Sequence, residues 1–196
     1  MTTAVVSGGV LQELVPDDFW VLPRCVYRCC CSVSWVCPAY DRGMTVSVNV
    51  VTVQPRLLAA VRREVAPGRI GSAWRPAVGK VWDFIRSQPG LWTDGHNIFL
   101  YHHSDQPGEP ILCDFGVEVT RSFATAGDVY ATESPGGEAA MADYRGPYDR
   151  MYEAYTAIDE WMTTNQRKSA GHSWEIYGDP TPDPADTETT VVHLLT

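Results

Sequence analysis

The strongest constraint on this 196-residue chain is an internal repeat at a spacing of roughly 80 residues. Repeats of this kind set a whole fold, because each copy is one supersecondary unit. The first copy runs Leu58-Ala59-Ala60-Val61, then Pro67-Gly68, then an amphipathic stretch ending Val81-Trp82-Asp83-Phe84-Ile85. The second runs Glu138-Ala139-Ala140-Met141, then Gly146-Pro147-Tyr148, then a stretch ending Ile158-Asp159-Glu160-Trp161-Met162. A short apolar segment follows each, Asn97 to Tyr101 and Ser173 to Tyr177. An acidic, proline-bearing loop and a β-rich run, Ile111 to Thr120 and Thr189 to Leu195, follow in turn.

Local patterns agree between the copies. Val46 to Val53 alternates β-branched with small polar residues, and Leu57 to Val65 reads as its partner in a hairpin across Pro55. Ile70, Ala73, Trp74, Ala77, Val81, Trp82 and Ile85 form one helical stripe, which Pro76 predicts to become regular only just before itself. Tyr148, Met151, Tyr155, Ile158 and Met162 form the second, with Pro147 at a helix-starting position. Each copy is therefore strand, strand, helix, strand, strand. The expected fold is α+β: a tandem repeat, first copy about 44–121 and second about 127–196, with antiparallel sheets and a ligand cleft between the halves. A unit with one helix covers one sheet face, so two units can bury their bare faces or edges against each other.

Residues 1–43 do not continue this pattern. They hold five of the six cysteines, Cys25, Cys29, Cys30, Cys31 and Cys37, without the paired C-x-x-C spacing of a zinc site. The expectation is a disordered cysteine-rich extension, or upstream sequence with Met44 as the working start. No run approaches the ~20 apolar residues of a membrane span, and the N-terminus lacks a basic signal region, so the expected location is cytoplasmic. The net charge of −9 argues against direct nucleic-acid binding and favours neutral or cationic partners.

Alternation along a strand places residues two apart on one face. Glu175 and Tyr177 share a face, as do Phe99 and Tyr101. If Leu100 and Ile176 pack under the helices, these four converge on the seam, where Tyr148 joins them. That would be an aromatic pocket with one carboxylate, suited to a cation over ring faces. Alternatively the carboxylate, with a raised pKa, would act as a general acid or base together with Tyr177. Spacing alone leaves a third reading open, in which Glu175 is a solvated strand residue and the tyrosines are core or rim. His96, His102, His103, His172 and His193 show no metal-ligand spacing, and no metal or cofactor is expected. Cys113 reads as core, on one face with Ile111, Phe115 and Val117. Ser122, Ser134 and Ser169 lack a nucleophile-elbow context.

The second copy resembles a known family. Ser134-Pro135-Gly136-Gly137-Glu138-Ala139-Ala140, Tyr144-Arg145-Gly146-Pro147-Tyr148-Asp149, Ala154 to Trp161, and Trp174-Glu175-Ile176-Tyr177 with Asp179-Pro180 look like the GyrI-like small-molecule-binding domain. That domain is the effector-binding part of many AraC- and MerR-type regulators. The resemblance implies a tandem α+β fold with Glu175 contacting a bulky, often cationic, aromatic ligand. Other members bind and inhibit DNA gyrase, and some stand-alone members resemble hydrolases that open cyclopropane rings of alkylating compounds. Residues 1–43 offer no basic recognition helix, which leaves a stand-alone binder, a hydrolase or a gyrase-binding protein.

Overall fold

A computed structural model describes residues 46–91, 95–104 and 108–196. The extension at 1–43, its cysteines and Met44 lie outside the described residues. Among the described residues eight strands form: β1 (Val48–Val53), β2 (Leu57–Val65), β3 (Asn97–His102), β4 (Ile111–Glu118), β5 (Val129–Glu133), β6 (Gly137–Arg145), β7 (Ser169–Tyr177) and β8 (Glu188–Leu195). Helix α1 (Ile70–Arg86) lies between β2 and β3, and α2 (Tyr152–Thr164) between β6 and β7. No helix among the described residues is long and apolar enough to cross a membrane.

Two local expectations shift. Helix α1 begins six residues before Pro76, with the proline inside it. Ile70, Ala73 and Trp74 pack against the core from that first stretch, and their burial offsets the one backbone bond that a proline removes. Pro147 opens a one-turn 3-10 helix, Tyr148–Arg150, and α2 itself begins at Tyr152.

The strands make one antiparallel sheet, in the order β1-β6-β8-β7-β3-β4-β2-β5. This corrects two expectations: separate sheets, and a β1–β2 hairpin. β1 pairs with β6, and β2 with β4 and β5. The same order read backwards results when β1–β4 and β5–β8 exchange numbers.

Register fixes which residues share a face. Paired residues run Val48, Ala142, Val191, Glu175, Phe99, Phe115, Val61, Val129 across all eight strands. Both helices pack on this face. α1 buries Ala77, Val81 and Ile85 against Val61, Phe99 and Phe115; α2 buries Ala154 and Ile158 against Ala142 and Val191. Glu175 and Phe99 sit on the two central strands, between the helices.

The other face carries its own core, Leu58, Ile98, Leu100, Ala139, Trp174 and Val192, with no helical residue in it. Its burial follows from the connections. Only Gln54-Pro55-Arg56 joins β1 to β2, and only Ser134-Pro135-Gly136 joins β5 to β6. A link of that length reaches at most about 15 Å, whereas six strand spacings in a flat sheet span roughly 29 Å. The sheet must therefore curl until its two ends meet, closing over the helix-free face. The links lock to each other there: the Ser134 hydroxyl accepts from the Arg56 N–H at 3.0 Å, and the Ser134 N–H donates to the Arg56 carbonyl at 3.0 Å. A Cβ on Gly136 would lie 2.7 Å from the Pro55 ring. Gly136→Ala is thus expected to cost about 1–3 kcal/mol by overpacking, read as a lowered thermal midpoint.

Candidate functional site

Glu175 lies in mid-β7 with no solvent exposure (0%). Burial of a carboxylate demands partners, and three phenols supply them. Tyr101 donates to Oε2 at 2.6 Å, Tyr177 to Oε2 at 2.5 Å, and Tyr155 to Oε1 at 2.5 Å. Each comes from a different position: β3, two residues along β7, and α2. Around them, Phe99 packs on Tyr177 with ring centroids 4.7 Å apart, and Tyr148 meets Tyr177 at 5.6 Å. Trp74 reaches Phe99 from α1 at 5.9 Å. No Lys, Arg or His among the described residues forms an ion pair with Glu175.

Burial pushes the Glu175 carboxyl above its ordinary 4.5, and the three phenolic bonds only partly pull it back. Tyr101, Tyr155 and Tyr177 are held well above 10.0, first by burial and then by the charge of Glu175. They remain proton donors. Cys113 is pushed up to about 12 by burial and by the carboxylates of Asp114 and Glu175, so at neutral pH it is an inert thiol rather than a nucleophile.

All five residues expected at the site, Glu175, Tyr177, Phe99, Tyr101 and Tyr148, come together. They do so on the helix side of the sheet. The premise that Leu100 and Ile176 pack under the helices is incorrect; both belong to the helix-free core. Alternation identifies which residues share a face but not which face a helix covers. Tyr155 was missed as a site residue because it sits in the apolar stripe of α2. Its signal was available: a phenol seven residues from Tyr148, on the same helical side, needs a polar partner once buried.

The family of GyrI-like small molecule binding domains matches residues 47–194. The chain belongs to that family. No curated protein sequence matches it. Among solved structures, the GyrI-like domain is similar to the EcmrR C-terminal domain, with a TM-score of 0.66 at 19% identity over 78% of this chain and 99% of that one. It is similar to a hydrolase from Listeria innocua, TM-score 0.55 at 14% identity over 76% and 91% of the two chains. It is also similar to SAV2435 bound to tetraphenylphosphonium, TM-score 0.50 at 9% identity over 76% and 94%. At such identities these are likenesses of fold.

The GyrI-like domain has a second buried carboxylate, Asp114, on the opposite face. Arg62 clamps it at 2.7 Å through both Nε and Nη2, Tyr130 donates at 2.5 Å, and His102 Nε2 lies at 2.8 Å. Here the partners outweigh burial and hold the carboxyl well below its ordinary 3.8. The two carboxylates therefore have opposite pH signatures. Asp114 contributes stability that is present above 3.8 and lost as pH falls through its folded value. Glu175 contributes stability that is present below 4.5 and lost as pH rises through its raised value. Relative to Glu175→Gln, the native protein is expected to gain thermal stability as pH is lowered from 8 toward 4.5. A flat difference over that range would remove the buried-charge assignment.

Proposed function

We propose that the domain captures a bulky aromatic cation, with Glu175 as the counter-charge and Tyr101, Tyr155, Tyr177, Phe99 and Tyr148 as the walls. The observation that carries this reading is a fully buried carboxylate whose hydrogen-bond partners among the described residues are all phenols. Such a group is costly to hold without a cation and is relieved by one. The surrounding rings add quadrupole attraction. SAV2435, which shares the fold, carries a cation of this class.

The backward-reading strand order further supports the view that residues 44–121 and 127–196 are two copies of one unit. On this view only the second copy supplies a charge, since Phe99 stands opposite Glu175. A pocket with one charged end orients its ligand.

The test is isothermal titration of the full chain with tetraphenylphosphonium. Saturable binding that depends on Glu175 is expected. The same carboxylate could instead direct water onto an electrophile, so a cyclopropane-bearing alkylator is incubated in parallel and its products weighed. A hydrated product formed over many turnovers would replace the binder by a hydrolase. No binding and no product would sink both.

A further inference from the structure

The strand beside Glu175 carries two polar groups that the carboxylate network leaves unused. In β8, Val191 stands directly opposite Glu175, while Thr189 and His193 stand opposite Tyr177 and Ser173. Thr189 and His193 are thus the two diagonal neighbours of Glu175 on the same face, at about 7–8 Å, within reach of long side chains. Both are buried, Thr189 at 2% exposure and His193 at 8%. Thr189 Oγ1 and His193 Nε2 have no hydrogen-bond partner among the described residues. Buried polar atoms are nearly always paired, so orphans of this kind ask for an explanation.

Of the two, His193 has the stronger link to the site. Its ring packs on that of Tyr155 at 5.6 Å, and Tyr155 donates to Glu175. Ser173, its partner across the strands, bonds His103 Nε2 at 2.7 Å and makes no bond to His193 Nε2. Burial, then the neighbouring His103, lowers the imidazole to about 4. It is neutral at pH 7, with one nitrogen donating and the other accepting.

The geometry points to His193 as a second anchor of the ligand site, binding through Nε2 a hydroxyl or amide group carried by the same ligand whose positive charge meets Glu175. This rests on the cation reading of Glu175 and narrows it: the ligand is an aromatic cation with a hydrogen-bonding arm, not a hydrocarbon cation. His193 is then a specificity residue, discriminating ligands that Glu175 alone would accept equally.

A matched pair of probes tests this, tetraphenylphosphonium and (4-hydroxyphenyl)triphenylphosphonium, which differ by one hydroxyl. The full chain is expected to bind the hydroxylated ion about 3- to 10-fold more tightly, the worth of one net hydrogen bond. His193→Phe should abolish that preference, while His193→Gln should restore part of it. Because a buried His193→Phe change can impair folding, the native protein is also followed by nitrogen NMR of its histidines. The His193 Nε2 resonance should move with the hydroxylated ion and not with tetraphenylphosphonium. Equal affinities for the two ions, or a preference that survives His193→Phe, would overturn the assignment while leaving the Glu175 reading intact. Failure of the native chain to bind either ion would overturn both.

Discussion

Glu175→Gln is expected to weaken tetraphenylphosphonium binding by roughly 30-fold or more, because truncating one partner of a buried charge pair costs about 2–5 kcal/mol. The substitution preserves shape, so the aromatic walls remain and residual affinity reports the apolar contact alone. The fold should tolerate it. A glutamine oxygen in place of Oε2 still accepts from Tyr101 and Tyr177. The amide then faces Tyr155, whose oxygen has lone pairs to offer. The empty protein meanwhile sheds a desolvated charge and should be no less stable at pH 7. Calorimetric titration and thermal unfolding of the same sample separate the two effects. Retained affinity in a folded Glu175→Gln protein would refute the counter-charge role. Loss of binding together with loss of fold would instead mark Glu175 as structural.

The second large effect lies on the other face. Asp114→Asn is expected to destabilise the domain by about 3 kcal/mol, within the range for charged hydrogen bonds lost in a buried setting. The reason is geometric. Oδ1 accepts from Arg62 Nε and Tyr130, and Oδ2 from Arg62 Nη2 and His102. Turning either oxygen into an amide sets its N–H groups against an Arg62 N–H, which can only donate. The effect is kept from the upper end because the Arg62 side chain is 44% exposed and can rehydrate. For a domain of this size the thermal midpoint should fall by about 6–12 °C. The exposed pair Arg63–Asp128 is the control. Asp128→Asn should leave the thermal midpoint almost unchanged, since exposed ion pairs contribute little. Equal effects at Asp114 and Asp128 would deny the buried clamp its role.

Much of the architecture was legible in the residues. The stripes ending at Ile85 and Met162 mark helices, and the alternation at Ile111–Thr120 and the short apolar run at Asn97–Tyr101 mark strands. Glu175 with its aromatic neighbours was legible for the same reason. Strand partners were not. Val46–Val53 and Leu57–Val65 look like a hairpin, since adjacent strands usually pair, and nothing local announces that β1 crosses to β6. Asp114 falls on the polar phase of an alternating strand and so looks like an outward residue. Its burial depends on Arg62, fifty-two positions away. Tyr155 was hidden by its own hydrophobicity, because a phenol in an apolar stripe resembles core until its hydroxyl is traced to Glu175.

The crossed links have a kinetic consequence. β1 completes the sheet beside β6, and β5 beside β2, so each half of the chain finishes the other half's edge. Neither half owns a closed set of strand partners. Central pairs such as Phe99 with Glu175 are also far apart in the chain, and sheets built on such distant contacts form slowly, after loop-closure entropy has been overcome. The two halves should therefore acquire structure together, in one cooperative step, with the cluster around Glu175 assembled only when the last crossing strand docks.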